Sequence, residues 1–130
     1  MSRSGYSEDY DSNWDLIRWR GAVASAIRGK RGQAFLKEML LALDALPQKR
    51  LIADDFEIRD DGEVCALGAV GRARGVDLSK LDPDDPDTVA HVFGLSGALA
   101  CEIMYINDDN YLTPEARFER VRAWVARNIR

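Results

Sequence analysis

The sequence predicts a mainly α (α+β) fold: a compact helical domain with a helical hairpin and one small β-hairpin. Three observations carry that expectation. Apolar residues recur at helical spacing in three long segments, and Thr113-Pro114-Glu115 has the composition of a helix start. Phe56 and Ile58 alternate with charges ahead of an Asp61-Gly62 turn signal.

Residues 1–12 are rich in Ser, Gly, Tyr and acids without any period, which reads as an unanchored arm before one globular domain over 13–130. Asn13 can cap a helix running from Trp14 to Arg28, whose inward stripe is Leu16, Trp19, Val23 and Ile27. Gly29 is expected to end it, where a positive φ is cheap, and Gly32 to allow a second bend before Gln33. The next helix carries Leu36, Met39, Leu40, Leu43 and Leu46, and Pro47 terminates it because a proline ring does not fit inside a helix. The two form a helical hairpin with a basic turn.

After the β-hairpin, the small apolar run from Cys65 to Gly71 suits close packing, and a short helix is expected from Ala66 to Arg74, stopped by Gly75. Asp82-Pro83-Asp84-Asp85-Pro86-Asp87 reads as a loop. Beyond it, Thr88 to Phe93 is a short helix and Ser96 caps another, from Gly97 to Ile106. Thr113 caps the last, with Pro114 at its first position and Phe118, Val121, Val125 and Ile129 as its stripe.

A chain of 130 residues with 46% hydrophobic and 31% charged residues matches one folded domain and excludes bulk disorder. Cys65 and Cys101 sit in apolar stretches with no leader-like segment before them, and no apolar run reaches the roughly 18 residues of a membrane span. The expectation is a cytoplasmic protein with reduced thiols and no membrane contact. A net charge of −4 speaks against general nucleic-acid binding. The charge is segregated, however: bases predominate up to position 50, and acids from Asp54 to Glu63 and from Asp77 to Asp87.

Arg28-Gly29-Lys30-Arg31-Gly32-Gln33 places three cations on a glycine-hinged turn that opens a helix, where free N–H groups and the dipole favour an anion. A P-loop would need glycine at position 24 and Ser or Thr at 31, and the chain has Ala24 and Arg31. The plainer alternative is a helix C-cap followed by a solvated basic turn. Arg28, Lys30, Arg31 and Gln33 are the candidate anion-binding residues, and Trp14, near the acidic arm, is a candidate partner contact. Trp19 is expected in the core.

Cys65, His91 and Asn107 occur in the order of a thiol hydrolase: nucleophile, base, orienting amide. The alternative is a structural cysteine acting as a small hydrophobe. No metal and no cofactor is expected, since one histidine and two distant cysteines make no zinc set. A calcium loop starting at Asn107 would need glycine and glutamate where Leu112 and Phe118 stand, so Asn107-Asp108-Asp109-Asn110 reads as an ordinary polar connection.

Three segments together resemble a group of small bacteriophage and prophage proteins to which no activity is assigned. They are Asn13-Trp14 through Arg31-Gly32-Gln33-Ala34-Phe35-Leu36, then Val64-Cys65-Ala66-Leu67-Gly68-Ala69-Val70, then Ile106-Asn107-Asp108. The resemblance covers most of the chain. It implies a phage product in the bacterial cytoplasm and no catalytic residues to transfer. The function expected is that of a non-enzymatic accessory protein binding a host protein or a nucleotide-like anionic ligand, as an inhibitor of host defence. Its rivals are the small cysteine hydrolase and a phage structural or assembly protein that forms homo-oligomers.

Overall fold

A computed structural model of the chain describes residues 13–58, 62–109 and 111–130, with the backbone alone for 13–16. Among these residues the order is α1 (Asn13–Arg28), α2 (Lys30–Asp44), β1 (Glu57–Ile58), β2 (Glu63–Val64), α3 (Ala66–Arg74), a 3-10 turn (Leu78–Lys80), α4 (Pro86–Phe93), α5 (Gly97–Asn107) and α6 (Pro114–Asn128). The domain is therefore mainly helical, with six α-helices and a tiny antiparallel sheet pairing Glu57 with Val64 and Ile58 with Glu63. The N-terminal arm, the Trp14 side chain, Asp61 and Asn110 lie outside the described residues.

Capping sets most helix starts. Ser96 Oγ accepts the Leu99 N–H at 3.1 Å, and Thr113 Oγ1 accepts the Ala116 N–H at 3.1 Å. Asp85 takes the Thr88 N–H at 3.3 Å, and at α3 the acceptor is a thiol, Cys65 Sγ, 3.3 Å from the Gly68 nitrogen. Gly75 (φ +75°) and Gly94 (φ +71°) end α3 and α4 in the left-handed region that glycine enters without a Cβ penalty.

The hairpin between α1 and α2 differs from the sequence expectation. Gly29 has φ −71° and ψ 159°, an extended residue that is the N-cap of α2 rather than a left-handed stop, and the helix begins at Lys30 rather than after Gln33. The cause is Gly32. It lies in the first turn of α2 where a Cβ would overlap the Ala26 carbonyl oxygen, so its bare Cα lets α2 press onto the last turn of α1. One residue then suffices for the reversal. At the other end α2 stops at Asp44, before Leu46 and Pro47. Lys49 Nζ donates to the Leu46 carbonyl at 2.8 Å and also to that of Asp44, placing a cation at the negative end of the helix.

One core joins all six helices: α2 packs on α3 and α6, and α5 packs on α1 and α4. Leu36, Met39 and Leu43 of α2 meet Leu67 and Val70 of α3, Leu99, Ile103 and Met104 of α5, and Val121 and Val125 of α6 in that cluster. Val23 and Ile27 are buried as expected, Trp19 is half-buried against the core, and Trp124 is buried. Phe93 ties the layers, with ring centroids 6.3 Å from both Phe35 and Phe56. Gly68 makes room for the Phe56 carbonyl, against which a Cβ at that position would collide.

Two polar side chains are structural where the sequence offered no hint. Asn107, 1% exposed, and Arg117, 5% exposed, are both buried. Arg117 donates to the carbonyls of Leu51 at 3.1 Å, Asp109 at 2.9 Å and Leu112 at 3.2 Å, so the segment before α6 is shaped around a guanidinium. Asn107 corrects the reading of 107–110 as an ordinary polar connection. Its amide bridges three elements, because interior N–H and C=O groups must find partners.

No single helix among the described residues is long and apolar enough to cross a membrane. Among the described residues only α4 and α5 taken together have the length and apolarity of a span, and they are bent by 105° and contribute largely to the core.

Candidate anion-binding cleft

The first turn of α2 is unusual for a helix start. Its N-cap, Gly29, has no side chain to accept an N–H, the turn holds no acid, and Lys30 and Arg31 are both exposed. Cations there oppose the helix dipole, and the leading N–H groups of a helix have no partner within it. By contrast α3, α4, α5 and α6 each carry a side-chain acceptor at this position.

Tertiary packing places a second helix start opposite. A cleft of about 190 Å³ is lined on one side by Gly29, Lys30, Arg31 and Gly32 and on the other by Leu95, Ser96 and Leu99, with Ala26 also on its wall. The N-termini of α2 and α5 thus border one depression beside two cationic side chains. The dipoles of the two helix starts and the charges of Lys30 and Arg31 favour an anion, although at α5 the Leu99 N–H is already taken by Ser96 Oγ.

A neighbouring open groove is lined by Arg31, Phe35, Glu38, Arg74, His91 and Gly94, among others. Glu38 and Arg74 form a two-point ion pair, at 2.7 Å to Nε and 2.6 Å to Nη2. The hydrogen bond from Arg74 holds the Glu38 carboxyl below its ordinary pKa, burial opposing. The Arg74 guanidinium also lies 5.6 Å from the Phe35 ring centroid and 5.9 Å from that of Phe93.

Of the residues singled out from the sequence, Lys30 and Arg31 line the cleft, while Arg28 is exposed at the end of α1 and is not on its wall. Gln33 has a different job. Its Nε2 donates to the carbonyls of Ile27 at 2.7 Å and Asn128 at 2.9 Å, and its Oε1 accepts the Arg130 N–H at 2.7 Å. It fastens the end of α1 to the end of α6 and has no amide group left for an anion.

The thiol arrangement is not assembled. Cys65 is fully buried with its sulfur accepting the Gly68 N–H, and Asn107 binds backbone groups next to it. His91 is exposed on α4, in the groove with Arg31 and Arg74. Cys101 offers no nucleophile either, since burial, with the Asp87 charge adding, pushes its thiol up to about 11. Among the described residues no group of three or more His, Cys, Asp or Glu side chains is placed to hold a metal ion.

No known family, curated protein or solved structure matches the chain. The chemistry of the cleft is therefore the guide to what it binds. Leu95, Ser96, Glu38 and Arg74 belong to these walls and were not visible as such in the sequence. Ser96 is readable as a helix cap, but nothing local says that its helix starts opposite Lys30.

Proposed function

We propose that the chain is a non-enzymatic binding protein, of the phage accessory type, that holds a phosphate-bearing small ligand in the cleft between the starts of α2 and α5. One observation carries the reading: α2 begins without a side-chain cap or an acid and with Lys30 and Arg31 in its first turn, facing a second helix N-terminus. An anion there supplies the acceptor that Gly29 lacks and neutralises two cations that otherwise oppose the dipole. The buried Cys65 and the separate placement of His91 favour binding over thiol chemistry. In the setting that the phage resemblance implies, holding a nucleotide-like signal is a way to blunt a host defence.

Titration with inorganic phosphate, followed by calorimetry and by amide chemical shifts, tests the reading. Shifts should centre on Lys30, Arg31, Gly32 and Gly97. The double variant Lys30→Ala, Arg31→Ala should weaken binding about tenfold or more, as expected for losing charge-assisted hydrogen bonds. Equal binding by the parent and the double variant, or shifts elsewhere only, overturns it.

A further inference from the structure

The side-chain amide of Gln33 serves two helix ends at once. Its Nε2 donates to the carbonyls of Ile27 at 2.7 Å and Asn128 at 2.9 Å, which lie in the last turns of α1 and α6, where carbonyls have no partner further along their own helix. Its Oε1 accepts the Arg130 N–H at 2.7 Å. Ile129, between those two contacts, is extended with φ −77° and ψ 134°. The amide thus brackets one residue of extended main chain, through the carbonyl before it and the N–H after it.

Residues 128–130 form a strap held against the joint between α1 and α2. Among the described residues, Gln33 is the strap's hydrogen-bond partner outside α6. The Asn128 side chain donates back to the Trp124 carbonyl at 2.7 Å, and the Ile129 N–H to that of Ala126 at 3.4 Å. The Ile129 side chain is half-buried against the core, and Arg130 is exposed. The joint itself is one residue, Gly29. Its N–H closes the ladder of α1 on the Ser25 carbonyl at 3.2 Å, and its carbonyl opens that of α2 by accepting the Gln33 N–H at 2.9 Å. The close approach of Gly32 to the Ala26 carbonyl brings the next residue, Gln33, within reach of both helix ends.

We infer that residues 128–130 are a releasable strap with Gln33 as its single catch, so that strap and joint open together, as one cooperative unit, ahead of the core. Both donated hydrogens sit on one nitrogen, and a turn of the Gln33 side chain that lets go of Asn128 also lets go of Ile27. A segment tied by a few hydrogen bonds and one half-buried side chain belongs to the low-stability end of a fold, whereas α3 and α5 are buried along most of their length. The joint supplies Ala26, Gly29 and Gly32 to the wall of the cleft, so the state of the strap sets the shape of that wall whatever the cleft holds. Gln33 is a positioning residue in this device.

Amide hydrogen exchange of the full chain, resolved by residue, tests the coupling without any ligand. Arg130→Pro deletes only the N–H that Gln33 Oε1 accepts, and the extended Ile129 is compatible with a following proline. Arg130→Ala keeps that N–H and serves as the control. The proline variant should speed exchange at Gly29, on the far side of the catch, about threefold or more, the effect of one lost hydrogen bond. The alanine variant should leave Gly29 unchanged, and both should leave the core amides of Ala69 and Ala100 unchanged. In the parent, Gly29 and Ile129 should exchange through one opening, with a common denaturant slope smaller than that of Ala69. An unchanged Gly29 in the proline variant, an equal effect of alanine, equal acceleration at Ala69 and Ala100, or different slopes for Gly29 and Ile129 in the parent would each overturn the strap.

Discussion

The Ala66 N–H donates to Asn107 Oδ1 at 3.0 Å, which ties the last residue of α5 to the first residue of α3. The other half of the same amide donates to the Ile52 carbonyl at 2.8 Å and to Asp108 Oδ1 at 2.9 Å. Asp108 Oδ1 also accepts the Asp54 N–H at 3.0 Å, which helps hold Asp54 at φ +66°, a conformation that aspartate tolerates better than most residues. The linker that crosses from α2 to the sheet is thus anchored by the side chains of Asn107 and Asp108, with Arg117 on the Leu51 carbonyl.

Asn107→Ala should destabilise the fold by about 2–6 kcal/mol, since it leaves a buried donor and a buried acceptor without partners at roughly 1–3 kcal/mol each. Urea denaturation followed by circular dichroism measures this. A midpoint within error of the parent would mean that the bridge contributes nothing.

Two glycines separate backbone cost from packing. Gly32→Ala forces a Cβ into the Ala26 carbonyl and should either cost more than about 2 kcal/mol or splay α1 from α2, in keeping with overpacking of a tight contact. Gly21, exposed inside α1, has nothing within 4 Å of a built Cβ, so Gly21→Ala should stabilise by about 0.5–1 kcal/mol through helix propensity alone. Thermal melts of the two variants should therefore move in opposite directions.

Acid should weaken the fold through named carboxylates. The pKa values of Glu38 and Asp44 are lowered chiefly by hydrogen bonds from Arg74 and Arg122, that of Asp85 by the Thr88 hydroxyl, and that of Asp109 by the Tyr111 N–H and then by Arg120. A carboxylate with a depressed folded pKa contributes fully above its unfolded value, near 4, and loses that contribution as pH falls through the folded one. The melting temperature should stay level from neutrality down to about pH 5 and then fall. Glu38→Gln should shrink the fall while lowering the plateau slightly, because partly exposed pairs are screened by solvent. A melting temperature unchanged down to pH 2 would contradict this.

The two thiols should be inert in the folded protein. Cys65 is fully buried, and Cys101 is raised to about 11, so iodoacetamide at pH 8 should label neither until denaturant is added. The sign at high pH follows from the same shift: a thiol whose folded pKa is raised contributes fully below its ordinary value near 9 and loses that contribution as pH rises toward about 11. Rapid labelling of native Cys65 would restore the hydrolase reading.

Local chemistry made most of the helices legible. Thr113 and Ser96 cap where a short polar residue precedes an apolar run, and Gly75 stops α3 because only glycine turns left-handed at little cost. The hairpin reversal is not legible in the local sequence because the role of Gly32 depends on the Ala26 carbonyl of another helix, which no local pattern encodes. The same holds for the polar clips. The partners of Gln33, Arg117 and Asn107 lie up to 97, 66 and 55 residues away along the chain, so a buried amide or guanidinium reads in sequence as ordinary surface. Of the candidate site, Lys30 and Arg31 were recognisable from charge and glycine spacing, whereas Ser96, Arg74 and the placement of His91 were not.

By itself the sequence determined the helical class, most helix starts and stops, and the faces that enter the core, because apolar period and capping are properties of neighbouring residues. Only the tertiary structure decided that the starts of α2 and α5 border one cleft, that His91 lines a separate groove with Arg31 and Arg74 while Cys65 is buried, and that Gln33 and Asn107 hold the frame. The physical reason is that packing brings together groups far apart in the chain, and a hydrogen bond or a field between them exists only once the core has set their distance.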